Sequence, residues 1–196
     1  MPKIAVERGE NLKKGTIAKE ILSILRDRPA AFSSRRDASI SDLFLPRLEK
    51  IGIGRKRKNS IRVAIERLRR QKFLEHENSG NKTLLRLTAT GEKRLRQYNL
   101  ENLKLKNTPR WDGLWRVVMF DIPENKKQAR DALSKKLNDM NFYKLQKSVF
   151  AHFLPCEDEI EFICEVFGLD GGVNCLEVRS LGTEENAAKK FFSLRG

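Results

Sequence analysis

A near-continuous apolar run, LWRVVMF at residues 114–120, ends directly before Asp121 and Pro123. A run with a single interruption, Arg116, is typical of a strand that is covered on both faces. The stretch that follows, 125–140, repeats its apolar residues with a helical period, and Asn125 is placed to cap that helix. This half of the chain is therefore predicted to fold as layers of helix on sheet, because the strand needs a covering element.

The rest of this half continues to alternate strands and helices. The aromatic and β-branched segment 142–154 predicts one or two strands, and the segment 157–167 predicts a second helix, whose three leading acids suit the positive end of the helix dipole. Residues 173–181 are predicted to form a last strand. With two strands in the middle the order is β-α-β-β-α-β, which predicts a ferredoxin-like α+β sandwich over residues 114–196.

The charge of the chain is divided unevenly between its two halves. Residues 1–110 contain 28 Lys and Arg against 12 Asp and Glu, whereas residues 111–196 contain 12 against 14. The net charge of +14 therefore lies entirely in the first half. Such an asymmetry favours two domains, one of which faces a polyanion such as nucleic acid. We place the first domain at 12–98 and a linker at 99–113, where no apolar period is sustained.

Short helices are predicted to open the basic half. Residues 16–26 carry an apolar stripe at helical spacing, and Thr16 is placed to cap that helix. The polar segment 27–39 is predicted as a loop. A short helix should follow, with Pro46 in its first turn, where the missing N–H costs nothing, and with Gly52 at its end.

The segment 55–74, RKRKNSIRVAIERLRRQKFL, predicts a basic helix capped by Asn59 or Ser60. Its apolar residues lie on one face and its charged residues on the others. A helix N-terminus attracts phosphate through its free N–H groups and its dipole, and four basic residues lead into this one. A solvated charged face is the alternative interpretation, but the context favours a helix that enters the major groove of duplex DNA.

A β-hairpin and a closing helix are predicted after the basic helix. The strands are expected at 73–77 and 83–88, on either side of the turn sequence NSGN, and Thr88 or Thr90 can cap the helix that follows. Helix, short helix, basic helix, hairpin and helix is the order of a winged helix-turn-helix domain. With LTATGEK after the hairpin, residues 12–98 resemble bacterial winged-helix regulators.

Candidate DNA contacts follow from this placement. Arg62 and Arg69 would read guanine and Glu66 would read cytosine, while the hairpin would touch the backbone or the minor groove. The DNA-binding residues predicted from the sequence are Arg55, Lys56, Arg57, Lys58, Arg62, Glu66, Arg69, Arg70, Asn81, Lys82 and Arg86. Because Lys and Arg contacts with phosphate release counterions, affinity should fall steeply with salt.

Several other classes of protein are disfavoured. No run approaches the roughly 18 apolar residues of a membrane span, and the N-terminus lacks a signal-peptide pattern, so we expect a cytoplasmic protein without a membrane partner. The three cysteines have no CxxC spacing and are expected to be buried thiols rather than zinc ligands. His152 lies among aromatic residues, where packing is favoured over a role as general base. No cofactor is predicted.

The strand that ends in FDIP, the helix after it and the segment QKSVF resemble the small CRISPR spacer-acquisition nuclease fold. Preceded by a winged helix, this domain resembles the phenylacetate-catabolism repressor family (PaaX-like), over residues 12–181. The resemblance implies a transcriptional regulator, a repressor, that binds operator DNA as a homodimer. The nuclease-related domain would form the dimer, and the winged helix would bind the DNA. It leaves open whether a small-molecule effector binds.

Asp121 has two interpretations. In the nuclease family the aspartate that ends the first strand is the proposed metal ligand at a dimer axis, so the resemblance makes Asp121 a candidate catalytic and Mg²⁺-binding residue. The alternative function is thus a CRISPR-associated, metal-dependent endonuclease or a spacer-integration subunit. The residues themselves favour an Asx-turn, in which the carboxylate accepts backbone hydrogen bonds just beyond the strand.

Overall fold

The computed structural model describes residues 15–27, 30–33, 40–54, 57–79, 82–106, 110–169 and 171–194. The chain divides into two compact units between Tyr98 and Asn99. The fold class is α+β, because each unit combines helices with an antiparallel sheet. Within the ranges described, no helix combines the length and the apolar character that crossing a membrane would require.

The first unit combines helices with a three-stranded sheet. Its elements, in chain order, are α1 (Thr16–Asp27), β1 (Ala30–Ser33), α2 (Ile40–Lys50), α3 (Lys58–Arg70), β2 (Leu74–Ser79), β3 (Lys82–Leu87) and α4 (Ala89–Glu101). The strands are antiparallel in the order β1-β3-β2. The β2–β3 hairpin agrees with the two strands that were predicted from the turn sequence.

Two predictions for the start of this unit are wrong. The segment predicted as a loop contains β1, which pairs with the far strand of the hairpin, for example Ala30 with Leu85. Pro46 lies well inside α2 rather than in its first turn. A proline there removes one helical hydrogen bond. Pro46 lies on the exposed side of the helix.

The basic helix also begins earlier than predicted. Helix α3 starts at Lys58, and Arg57 occupies the cap position without a side-chain cap hydrogen bond. Asn59 and Ser60 therefore lie in the first turn and do not cap the helix. The prediction of a glycine stop for α2 is confirmed, because the helix ends at Lys50 and Gly52 has a φ of +82°.

The core of the first unit lies where three helices meet the sheet. Ile21 from α1, Phe44 from α2 and Leu85 from β3 are fully buried in it. Helix α3 contributes Ile61 and Ile65, together with the nearly buried Leu68. Each such side chain stabilises the fold by about 1.5–3 kcal/mol on burial. The buried stripe of α3 thereby fixes which of its faces points to solvent.

The second unit is a four-stranded sheet with helices. Its elements, after the end of α4, are β4 (Trp115–Phe120), α5 (Lys127–Asp139), β5 (Tyr143–Gln146), β6 (Val149–His152), α6 (Glu157–Phe167), β7 (Val173–Val178) and α7 (Glu185–Phe191). The sheet is antiparallel in the order β5-β6-β4-β7. The β-α-β-β-α-β order expected from the sequence is present from β4 to β7.

Helix α5 begins later than predicted. A 3-10 turn at Glu124–Lys126 follows Pro123, and α5 starts at Lys127 without a side-chain cap. Asn125 is therefore part of that turn and is not the helix cap. Pro123 is extended, with φ −64° and ψ 157°, and the 3-10 turn begins at the next residue.

The strands of the second unit divide their side chains between two faces. One face packs under the helices, where Val118, Phe120 and Phe150 join the buried residues of α5 and α6 in one core. Leu100, Leu103 and Leu105, from the segment assigned to a linker, pack against the same core. The β4 residues that alternate with Val118 and Phe120, such as Val117, point to the opposite face of the sheet.

Helix α7, which was not predicted from the sequence, covers part of that opposite face. Trp115 is fully buried there, and its indole N–H donates a hydrogen bond of 3.1 Å to Glu185. Tyr143 packs against Phe191, with ring centroids 5.4 Å apart. The far end of the face stays open, since Met119 is 40% exposed and Leu176 is 45% exposed.

His152 is a core residue, as its aromatic neighbours predicted. It is 4% exposed, its ring lies 5.0 Å from that of Phe142, and its Nδ1 accepts a 2.9 Å hydrogen bond from the Leu154 N–H. Burial lowers the pKa of His152 from its usual 6.5 to about 4. An uncharged imidazole in this position fills space and satisfies one backbone donor.

This buried histidine should make the second unit lose stability in mild acid. The unfolded chain binds a proton near pH 6.5 and the folded chain only near pH 4, so the free energy of unfolding falls as the pH drops through that window. At pH 5 the unit should be about 2 kcal/mol less stable than at pH 7.5. Urea unfolding followed by tryptophan fluorescence measures this, because Trp111 and Trp115 both lie in the second unit.

The control for this prediction is His152→Phe, which keeps an aromatic ring and removes the titration. The variant is expected to be less stable than the parent at pH 7.5 but to show little change between pH 7.5 and pH 5. Equal stability of the parent chain at both pH values would show that His152 does not titrate in this window.

Candidate nucleic-acid interface

Helix α3 presents a basic face to solvent. Because Ile61, Ile65 and Leu68 face the core, the residues on the opposite side of the helix are exposed. Four of them line a shallow groove of about 400 Å³: Arg62, Val63, Glu66 and Arg70. The groove therefore combines two guanidinium groups, one carboxylate and one methyl-bearing side chain on a single helix.

Four of the predicted DNA contacts, Lys58, Glu66, Arg69 and Arg86, are held in three ion pairs. These pairs are Lys58 with Asp42 at 2.8 Å, Arg69 with Glu66 at 2.9 Å, and Arg86 with Glu77 at 2.8 Å. All six side chains are at least one third exposed. Ion pairs this exposed contribute about 0–1 kcal/mol, so a phosphate group can compete for these cations.

Other cations of α3 have no such partner. Within the described part of the chain, Arg57, Arg62 and Arg70 form no ion pair. All three side chains are exposed. Their full charge is therefore available to an approaching polyanion, and the local acids offset little of it, because α3 contains Glu66 as its one acidic residue.

Two residues of this face were not predicted from the sequence. Arg67 is exposed, forms no ion pair with described residues, and lines a cavity of about 390 Å³ next to the start of α1. Val63 is 58% exposed, although it lies between the buried positions of the stripe in sequence. A helical wheel drawn with Ile61 and Ile65 on the buried side would have indicated that Val63 and Arg67 point outward.

Some of the predicted contacts cannot be placed in this face. Arg55, Lys56 and Asn81 lie outside the described residues, as does the side chain of Lys82, whose backbone begins β3. Arg86 is described and lies on β3, opposite Glu75 in the register of the hairpin.

The hairpin is tied to α3 through the start of α4. The Thr88 N–H donates a 3.1 Å hydrogen bond to the Phe73 carbonyl, and the Thr88 hydroxyl donates one of 2.8 Å to the Lys72 carbonyl. The same hydroxyl oxygen accepts a 3.0 Å hydrogen bond from the Gly91 N–H, so Thr88 caps α4, as one of the two predicted caps. Helix α3 and the hairpin are thereby held in one orientation.

Asp121 is exposed at the end of β4 in the second unit. Its backbone N–H donates a 2.8 Å hydrogen bond to Gly172, but its carboxylate accepts none from the described residues. The predicted Asx-turn is therefore not formed. The backbones of Asp121 and Gly172 instead lie in close contact at this turn. They are so close that a Cβ added to Gly172 would lie 2.5 Å from the Asp121 carbonyl oxygen.

The surroundings of Asp121 offer one carboxylate to a metal. Asp121, Pro123 and Lys126 line a cavity of about 230 Å³ together with Gly172, and Lys126 donates its hydrogen bond to the Gly168 carbonyl. Among the residues described, no group of three or more His, Cys, Asp or Glu side chains could hold a metal ion. A magnesium site here would need a carboxylate from a second chain.

Most of the second unit is similar to a known protein family. Residues 108–190 match the family model described as the PaaX protein central Cas2-like domain. No curated protein matches the chain. The match covers the whole β4-to-β7 arrangement and confirms the resemblance that the FDIP and QKSVF segments indicated. Residues 108–190 of this chain are therefore similar to the Cas2-like domain that lies at the centre of PaaX proteins.

Proposed function

We propose that this chain is a transcriptional regulator, a repressor, that binds duplex operator DNA as a homodimer. The family match supports a role in transcriptional regulation in general. The observation that carries the DNA-binding part is the solvent face of α3, where Arg57, Arg62 and Arg70 are exposed without ion-pair partners in the described chain.

The order of elements supports a winged-helix mode of binding. Helix α3 follows α2 and precedes the β2–β3 hairpin, which is the position of the recognition helix in winged helix-turn-helix domains. Arg62 and Arg70 would reach base edges from the groove-lining face, with Val63 available for the methyl group of thymine. Arg57 and Lys58, at the start of the helix, would contact phosphate.

The second unit supports the homodimer through one face of its sheet. The part of this face that α7 leaves open carries Met119 with its cross-strand partners Val149 and Asn174, together with Leu176. None of them is charged, in a chain whose composition is 34% charged. An uncharged face can pack on its own copy about a twofold axis without bringing like charges together. Two linked DNA-binding units would then engage two half-sites.

The test is duplex binding as a function of salt. Sequences that the purified full chain selects from a pool of genomic fragments should bind more tightly than unrelated duplexes. Affinity should fall by roughly 10³-fold or more between 50 mM and 200 mM salt, if six or more phosphates are contacted. Equal and salt-independent affinity for all duplexes would contradict the proposal.

The dimer is tested by light scattering on the free protein and on single variants. Leu176→Glu places a charge on the uncharged face and should give a monomer. The matched control, Lys135→Glu, introduces the same glutamate side chain at an exposed position of α5 and should leave the dimer intact. A monomeric parent chain would remove the homodimer from the proposal while leaving its DNA-binding part to the salt experiment.

A further inference from the structure

Two of the three cysteines meet inside the second unit. The Sγ atoms of Cys156 and Cys175 lie 3.8 Å apart, although the residues are 19 positions apart in the chain. Cys156 is buried immediately before α6, and Cys175 is half-buried on β7. Cys164, on α6, forms no hydrogen bond with either sulfur. Both sulfurs are free thiols in this structure.

We propose that Cys156 and Cys175 form an oxidation site, at which a peroxide converts the two thiols into an intrachain disulfide. A disulfide needs the sulfurs about 2.05 Å apart, so they must approach by roughly 1.8 Å. Cys156 lies outside regular structure, with φ −148°, between the turn after β6 and the first residue of α6. Rotation and a small shift of this segment suffice, while β7 stays paired with β4.

Cys175 is the sulfur that reacts first. It is the more exposed of the two, and its position on β7 is next to that of Glu177 on the same face, which binds the Arg116 guanidinium at 3.0 Å. The pKa of Cys175 is lowered, mainly by the hydrogen bond with Cys156 and also by the charge of Arg116. The pKa of Cys156 is raised by that hydrogen bond and by burial, so the Cys156 thiol is the less reactive of the two.

The chemistry runs in two steps. The Cys175 thiolate attacks one oxygen of hydrogen peroxide, the O–O bond breaks, and the departing hydroxide takes up a proton to leave as water, so that Cys175 becomes a sulfenic acid. The Cys156 sulfur then attacks the sulfenic sulfur, the S–O bond breaks, and a second water leaves as the disulfide forms. Two electrons and two protons pass from the thiols to one peroxide.

The product would tie the start of α6 to β7. In the reduced protein, Cys156 and Cys175 link these elements only by a weak S–H···S hydrogen bond. A disulfide replaces it by a covalent closure of the chain segment between the two cysteines, which restricts the unfolded state. Oxidation is therefore expected to raise the unfolding temperature of the second unit rather than to disrupt it.

The experiment treats the reduced full-length chain, freed of reductant, with hydrogen peroxide. The mass should fall by about 2 Da, and one thiol of three should remain open to alkylation in denaturant. Proteolysis without reductant should yield a Cys156–Cys175 linked peptide that dithiothreitol separates. Peptide mapping of the unmutated chain gives this result without depending on the folding of any variant.

Matched variants separate the roles of the sulfurs. Cys164→Ser should form the disulfide as the parent does, whereas Cys156→Ser and Cys175→Ser should not. A cyclic-diketone probe for sulfenic acid should label Cys156→Ser, at Cys175, and leave Cys175→Ser unlabelled. Three intact thiols after peroxide treatment, or a disulfide between chains in place of the internal one, would overturn the proposal.

Discussion

Replacing Arg62 and Arg70 together by alanine is expected to lower affinity for the selected duplex at least about 30-fold without unfolding the protein. Both side chains line the groove on the solvent face of α3, and neither forms an ion pair with described residues. An arginine that reads a guanine edge contributes about 1–3 kcal/mol, so two losses together give about 2–6 kcal/mol. Fluorescence anisotropy at fixed salt measures the change.

Three control variants show which property of these arginines matters. Lys135→Ala removes one positive charge from exposed α5 and should leave affinity unchanged. Arg69→Ala should weaken binding less than either groove arginine alone, because Glu66 at 2.9 Å already offsets its charge. Arg62→Lys keeps the charge but loses the two-pronged geometry, so it should reduce discrimination between duplexes more than it reduces affinity for all of them.

The double variant can also give the opposite result. If circular dichroism shows an intact fold and the affinity is within about threefold of the parent, α3 does not enter the groove. Binding would then have to come from another basic surface of the first half. A loss confined to specific duplexes, with unrelated duplexes bound as before, would assign both arginines to base reading rather than to phosphate contact.

Local patterns in the sequence were sufficient to predict most elements of the fold. The apolar stripe of α3, the hairpin and the limits of α6 at 157–167 follow from short-range periodicity and turn residues, and the structure has them within a few residues. Strand β1 was missed because four residues gain their strand conformation from pairing with β3, about fifty residues away. Helix α7 was missed because its apolar residues are few.

The site was harder to predict than the fold. The sequence indicated that α3 is basic, but not that Lys58 and Arg69 are offset by acids while Arg62 and Arg70 are not. The partner of Lys58 is Asp42, on another helix, so the pair depends on packing. The same limit applies to the thiols, because Cys156 and Cys175 are 19 positions apart in the sequence and meet only where the start of α6 contacts β7 in the folded unit.

Replacing Gly91 by alanine is expected to destabilise the first unit by about 3 kcal/mol or more. Gly91 lies in the first turn of α4, where an added Cβ would overlap the Phe73 carbonyl oxygen and lie 2.6 Å from the Leu87 side chain. That carbonyl cannot move freely, because it accepts the hydrogen bond of the Thr88 N–H. Relief of the overlap must therefore separate α4 from the strands of the hairpin.

The two tryptophans allow this effect to be assigned to one unit. Trp111 and Trp115 lie in the second unit, so their fluorescence follows that unit, whereas far-ultraviolet circular dichroism follows the helices of both. In Gly91→Ala the dichroism should show an early transition, more than about 10 °C below that of the parent, while the fluorescence transition stays in place. Affinity for DNA should fall as well, because the hairpin and α3 lose their common anchor.

Gly54→Ala is the matched control. Gly54 precedes α3 in the same unit, and a Cβ added there meets no atom within 4 Å. The same chemical change should therefore shift the early transition by no more than a few degrees, since replacing a glycine where the backbone allows alanine is neutral or stabilising. Equal transitions in both variants and the parent would mean that α4 and the hairpin can separate at no cost. The contact at Gly91 would then not fix the orientation of the hairpin relative to α3, on which the proposed mode of DNA binding depends.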